Sequence, residues 1–296
     1  MTTYLWRLFV LSLLLCASAQ AEVEKSTCTL EISLWHTGRP FLYQVGTAQE
    51  GIFPELLAEI FDAIPCEIEI AYIPAARIKA KASQRQSDIS IAFRPFGTDY
   101  FLGNPEYSSI EGMGSKSHRE KIQHKLIATP ILYPSMAFIG RKDKRHELES
   151  QEELLKLKLG SINVPQKNVK FWRDFIHIPK SPIGYRSPLQ GLKAVASGRI
   201  DLFVFYSASI QDFDNTNVLR IVKSIEPFEL RLIVHERGLG KITDEEIRIL
   251  NKQIQRLHNN GSLQRIIEKH SNTQYFYQPT PSKSTELGVS KQVNRD

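Results

Sequence analysis

The feature that most constrains this chain is an alternation of strand-like and helix-like stretches over its first half. Leu30–Trp35, Ile68–Ile73 and Asp88–Phe93 are short apolar runs of strand composition. Between the first two, Pro54–Ala63 sets Leu56, Leu57, Ile60 and Phe61 at helical spacing. Between the second and third, Ala75–Gln86 predicts a basic helix. A βαβαβ order predicts a parallel sheet with right-handed crossovers, which puts the chain in the α/β class. The 296 residues leave room for two such units, and a chain that is 42% hydrophobic and 24% charged is neither disordered nor collagen-like.

The second half continues the pattern. Met136–Gly140, Leu159–Val164, Ile200–Phe205 and Leu230–His235 read as strands. Glu147–Lys156, Val169–Ile176 and Leu189–Ser197 read as helices, the last ended by Gly198. Thr243 with Glu246 three residues on forms a capping box for a helix running to His258. Gly261 breaks it, and Ser262–His270 forms another. Residues 97–129 show little periodicity, and the polar, Pro-containing tail beyond Tyr277 predicts disorder.

Residues 1–21 carry Arg7, an apolar run from Leu8 to Cys16 and the small-residue site Ala19-Gln20-Ala21. This is the layout of a secretory signal peptide, too short in its apolar part to span a bilayer comfortably. Cleavage is expected after Ala21, giving an exported chain. It would keep two cysteines, Cys28 and Cys66, each opening a strand-like run. If those runs are neighbouring parallel strands, the two thiols start side by side, within bridging reach; a pair of buried free thiols is the alternative. Two thiols without a His pair nearby do not make a metal site.

Six stretches in fixed order carry a resemblance. They are Pro40-Phe41 followed by Gly51-Ile-Phe-Pro-Glu-Leu-Leu, then IPAARIKAKASQRQSDISIAF, TPILYPSMAFIGRK, GLKAVASGRIDLFVF and LNKQIQRLHNNGSLQRIIEKH. Together they resemble the type 2 periplasmic solute-binding proteins of extracellular solute-binding protein family 3, best known from polar amino-acid transporters. The resemblance implies a two-lobed clamshell, each lobe a mainly parallel sheet flanked by helices, with two hinge crossings. Lobe 1 would comprise residues 22–134 and 229–278, lobe 2 residues 135–228, and 279–296 a disordered tail. A ligand would sit between the lobes, which close on it.

The departures from that family are informative. Where amino-acid-binding members carry an Arg in a Thr-x-x-Arg turn, this chain has Tyr100; where an Asp ends the lobe-2 strand, it has Tyr206; where an acidic residue ends the first strand, it has Trp35. A neutral aromatic cannot replace the charged partner of a buried ammonium or carboxylate. The usual amino-acid clamp is therefore expected to be missing.

The candidate ligand contacts are Trp35, Phe41, Tyr43, Arg77, Arg94, Tyr133, Lys167 and Tyr206. Arg94 ends the third strand, at the carboxyl edge where open α/β sheets bind ligands, and with Arg77 it could hold an anionic group; both also read as solvated surface arginines. Trp35, Phe41 and Tyr43 surround the first strand-to-helix loop and suit a ring or apolar ligand surface, with core packing the plainer reading for Phe41. Tyr133 at a crossing and Tyr206 at a strand end can hydrogen-bond across a closing cleft. Lys167 precedes a predicted helix, whose backbone N–H groups suit an anion.

Catalytic patterns are missing: there is no G-x-S-x-G, H-E-x-x-H, C-x-x-C or P-loop. The remaining enzyme reading would use Arg94, His36 and Glu55. Lys+Arg exceed Asp+Glu to give +6, but the densest clusters, 118–125 and 140–147, mix in acidic residues and lack the interleaved aromatics of nucleic-acid binders. The expectation is a non-enzymatic periplasmic monomer without cofactor or nucleic acid. It would take a small polar or anionic organic solute and hand it to an ABC-type permease, or report it to a membrane sensor.

Overall fold

The computed structural model describes residues 28–35, 37–73, 77, 81, 86–95, 124–146, 148, 150–162, 181–213 and 217–277. The first part of the chain supplies β1 (Cys28–Leu34), the hairpin β2 (Tyr43–Val45) and β3 (Ala48–Glu50), helix α1 (Ile52–Phe61), β4 (Cys66–Tyr72), β5 (Ile89–Pro95) and β6 (His124–Leu126). Then come β7 (Met136–Arg141), α2 (Gln151–Lys156), β8 (Leu159–Ile162), β9 (Ile183–Tyr185), α3 (Pro188–Ala196), β10 (Leu202–Tyr206) and β11 (Leu219–Ile225). The chain closes with β12 (Phe228–His235), α4 (Glu236–Leu239), α5 (Asp244–Asn259) and α6 (Ser262–His270).

The strands form two five-stranded sheets, β4-β1-β5-β12-β6 and β9-β8-β10-β7-β11. The two share one topology. In each, three parallel strands are followed by an antiparallel one and then by an outer strand antiparallel to that. The antiparallel strand is β12 in the first sheet and β7 in the second, the two strands that follow the chain's passages between sheets. Each sheet is thus mixed, with two parallel and two antiparallel pairings and four of its five strands running the same way.

The two halves also share an anchor. Asp88 stands just before β5 with its side chain fully buried; Oδ2 accepts the Glu31 N–H of β1 at 2.8 Å and pairs with Lys241 at 2.7 Å. Arg237 lies 3.0 Å from Oδ1. Asp201, just before β10, accepts the N–H of Lys158 at 2.7 Å, next to β8. In both sheets an aspartate leading into the middle strand ties it to its parallel neighbour. Cys28 and Cys66 are paired in register on β1 and β4 and form a disulfide with Cα atoms 4.7 Å apart.

Local chemistry fixes where the helices begin. The helix predicted from Pro54 starts at Ile52, because proline is tolerated in a first turn whose N–H groups lack intrahelical partners. The Ile52 and Phe53 N–H groups instead donate to the carbonyls of Pro40 and Phe41 at 2.9 Å each. Gly51 makes this docking possible: its φ is 123°, and a Cβ there would lie 2.5 Å from the Phe41 carbonyl oxygen. The helix expected from Glu147 starts at Gln151, where Ser150 and Glu153 form a capping box. The boxed helix α5 and its successor α6 lie within one residue of their predicted limits.

Five strands escape the sequence reading, among them β6, three residues at the end of the aperiodic stretch 97–129. β2 and β3 are exposed and polar, β9 has three residues, and β11 alternates weakly across a bulge at Val222. Short edge strands carry little hydrophobic periodicity, and partners distant in sequence define them. The expected signal segment 1–21, His36, Tyr100, the predicted helix 169–176 with Lys167 before it, and the predicted tail 279–296 lie outside the described residues.

Candidate functional site

Phe41 is the residue through which the two sheets meet. The loop after β1 carries it, and the docking of that loop on α1 holds it in place. Its ring is fully buried, with centroids 4.6 Å from Tyr206 at the end of β10, 5.6 Å from Phe53 and 5.7 Å from Phe276. Tyr206 also packs on Phe205 at 4.8 Å. One apolar cluster therefore runs unbroken from α1 and β1 through Phe41 and Tyr206 to Phe203 and α3. The sequence reading offers both as ligand contacts, with core packing the plainer reading for Phe41; in the structure the two rings are buried against each other. Burial also pushes the Tyr206 phenol far above its ordinary range, so the hydroxyl stays protonated.

Two passages of chain connect the sheets and lie side by side. Leu132 bridges Leu230, and Phe228 N–H donates to the Pro134 carbonyl at 3.0 Å. A third segment joins them. Tyr277 N–H donates to the Tyr133 carbonyl at 2.9 Å, Ser135 N–H donates to the Tyr275 carbonyl at 3.0 Å, and Phe276 bridges Pro134. Tyr133 is buried here, its ring edge-on to His258 at 5.9 Å and to Tyr277 at 6.2 Å. Its phenol is pushed up to about 12, first by burial and then by the neighbouring Glu229 carboxylate. It is thus a packing residue at the passage with a protonated hydroxyl.

Helix α5 grips the entrance to the first passage with one face. Asn251 accepts the Thr129 N–H at 2.8 Å, Gln255 donates to the Thr129 hydroxyl at 3.2 Å, and His258 Nε2 sits 2.8 Å from the Pro130 carbonyl. The sequence reading missed His258 and the third segment. The signals were present as a helix-face spacing of polar residues and the aromatic run Tyr275-Phe276-Tyr277, but neither says what it will touch.

The other candidates are placed as follows. Trp35 follows β1 and is partly buried. Tyr43 opens the β2–β3 hairpin with the Arg39 guanidinium 4.5 Å over its ring. Arg77 is an exposed helical residue. Arg94 lies near the carboxyl end of β5, in register with Glu229 of β12. The Glu229 carboxylate itself pairs with Arg231 at 2.7 Å. Glu55, named for the enzyme reading, instead joins α1 to α6 through Lys269 at 2.8 Å and His270 at 2.9 Å. Among the described residues, no cluster of three or more His, Cys, Asp or Glu is placed to hold a metal ion, and no helix is long and apolar enough to cross a membrane.

No protein-family model matches the chain, and no curated protein does. Solved structures do. An arginine-specific periplasmic binding protein from Salmonella typhimurium superposes with a TM-score of 0.59 at 13% identity, covering 83% of this chain and 100% of that one. An arginine transport-system periplasmic binding protein from Legionella pneumophila gives 0.59 at 13% identity, covering 82% and 100%. The VFT2 domain of BvgS from Bordetella pertussis, a double mutant, gives 0.57 at 16% identity, covering 81% and 92%. At such identities the likeness concerns the fold, and the topology of the two sheets agrees with it: this chain has the two-lobed α/β fold of the periplasmic binding proteins.

Proposed function

We propose that this chain is a divergent family 3 solute-binding protein, exported after removal of residues 1–21, that takes a small polar or anionic organic solute between its lobes. The lobes are residues 22–134 with 229–278, and residues 135–228. The observation that carries the reading is the pairing of the two passages between like sheets, Leu132 against Leu230. Two adjacent, hydrogen-bonded connections permit a hinge while keeping the lobes aligned, as ligand closure requires. Arg94 and Arg77 are the proposed anion contacts, with Trp35 and Tyr43 beside them and Lys167 on the second lobe.

Two of the structural neighbours named above, those from Salmonella typhimurium and Legionella pneumophila, are arginine-binding proteins, but that ligand does not transfer easily. Tyr206 stands where the resemblance expects an acidic partner for an ammonium, and its buried ring is turned into Phe41. An amino acid would leave its ammonium without a counter-charge on that side. Delivery to an ABC-type permease is the first reading of role. Presentation to a membrane sensor is the second, favoured by the similarity to the BvgS domain.

A thermal-shift screen of mature protein tests the ligand class. Small carboxylates or aromatic acids are expected to raise the melting temperature, and common α-amino acids to leave it unchanged. A ligand at a hundred times its Kd adds about 2.7 kcal/mol, which such a screen resolves. Arg94→Ala should abolish the shift. Tight binding of arginine or glutamine would sink the proposed ligand class, and an undiminished shift in R94A would remove Arg94 from the site.

A further inference from the structure

A hollow of about 300 Å³ lies at the junction, lined by Ser135, Ser207, Ile221, Ser224, Gln274 and Tyr275. None of these is a candidate contact of the interlobe site. They come from every part of the junction. Ser135 leads into β7, Ile221 and Ser224 are on β11 just before the return, and Gln274 and Tyr275 belong to the third segment. A short hydrogen-bonded chain stitches them together, with Ser207 N–H to the Ser135 carbonyl at 2.9 Å and Ser135 N–H to the Tyr275 carbonyl at 3.0 Å.

The chemistry of the wall is specific in kind. It holds three serine hydroxyls and the phenol of Tyr275, one carboxamide and an aliphatic side chain, with no charged group. Ser207 is only 2% exposed, and its hydroxyl oxygen has no hydrogen-bond partner among the described residues. A buried hydroxyl without a partner carries a desolvation cost that a bound donor or acceptor removes. Hydroxyl and amide groups both donate and accept, so they match ligand hydroxyls, while Tyr275 and Ile221 suit the C–H faces of the same molecule. A charged ligand would find no counter-charge here. The volume is at the lower end for small-molecule sites, about that needed by a monosaccharide.

We propose that this hollow is a second small-molecule site, separate from the interlobe cleft, that binds a neutral sugar or polyol and braces the junction between the lobes. The occupant touches the first passage, β11 and the third segment at once. It therefore favours whichever lobe arrangement keeps these three together.

The test is amide NMR of the full mature protein titrated with neutral pentoses, hexoses and hexitols. Matching aldonates and amino sugars form the charged arm. Saturable shifts are expected at the Ser135, Ser207 and Gln274 amides with neutral probes, with charged counterparts at least about tenfold weaker. Ser224 is exposed, so Ser224→Trp fills the hollow without disturbing the core and should abolish the shifts. Ser207→Ala removes a hydroxyl that has no hydrogen-bond partner among the described residues, so the variant stays folded and should bind about fivefold to tenfold more weakly. The proposal is overturned if no neutral probe gives saturable shifts, if S224W binds as well as the parent, or if charged probes bind equally. Carboxylate binding at the cleft is read separately by thermal shift, so either site can fail without the other.

Discussion

At the scale of single residues, Phe41 links the local backbone to the joint between lobes. Gly51 lets the Phe41 carbonyl approach α1, and the carbonyl then receives the Phe53 N–H, fixing the direction of the ring. Its neighbours come from α1, the end of β10 and the third segment. Phe41→Ala is therefore expected to lower unfolding stability by about 3–5 kcal/mol, the usual range for emptying a fully buried phenylalanine site. Urea unfolding checks this: the midpoint should fall with little change in slope. A loss below about 1 kcal/mol would mean that the ring is not at the joint in solution. Tyr206→Phe, which keeps the ring, is the control and should cost far less. The sequence offered Phe41 as a ligand contact with core packing as the plainer reading, but gave no sign that its partner would be Tyr206.

At the scale of elements, α5 shows how a helix legible in sequence acquires an unforeseen role. Its start is set by Thr243 and Glu246, whose capping box forms as predicted. Its inner face buries Leu250, Ile254 and Leu257, while Asn251, Gln255 and His258 turn to the first passage. Burial lowers the His258 pKa below 6.5, opposed only in part by the hydrogen bond to the Pro130 carbonyl. The unfolded chain then binds more protons than the folded one between the folded pKa and about 6.5, so stability rises with pH through that window. The contribution is complete above about 6.5 and is lost as pH falls through the window to the folded value. His258→Gln, which can keep a donor to the carbonyl, should flatten this part of the stability profile. Urea midpoints measured across the window, parent against variant, decide the matter, and an unchanged slope would assign the pH dependence elsewhere. Glu55 acts at a lower pH. Burial raises its pKa, but the hydrogen bonds from Lys269 and His270 and their positive charges outweigh it and leave the pKa lowered. Its contribution is present above about 4.5 and is lost on acidification below that value.

At the scale of the whole molecule, the disulfide ties the outer strand β4 to β1 across a separation of 38 residues. Replacing both cysteines by serine should lower stability by about 2–4 kcal/mol through the added freedom of the unfolded chain. The fold should persist, because β1 remains held by the Asp88 anchor and by pairing along its whole length with β4. Urea unfolding of the oxidised parent and the double variant measures the difference; equal stabilities would show that the bridge closes no useful loop. By itself the sequence determined the α/β class, the long helices with their caps and the strands that run through buried sheet interiors. Those follow from periodicity, capping and strand composition, which act between residues near one another in the chain. Only the tertiary structure decided that Phe41 and Tyr206 face each other, that residues 275–277 run through the junction and that Ser207 floors a hollow there. These depend on contacts between residues scores of positions apart, and a single sequence carries no local period that records such a partner.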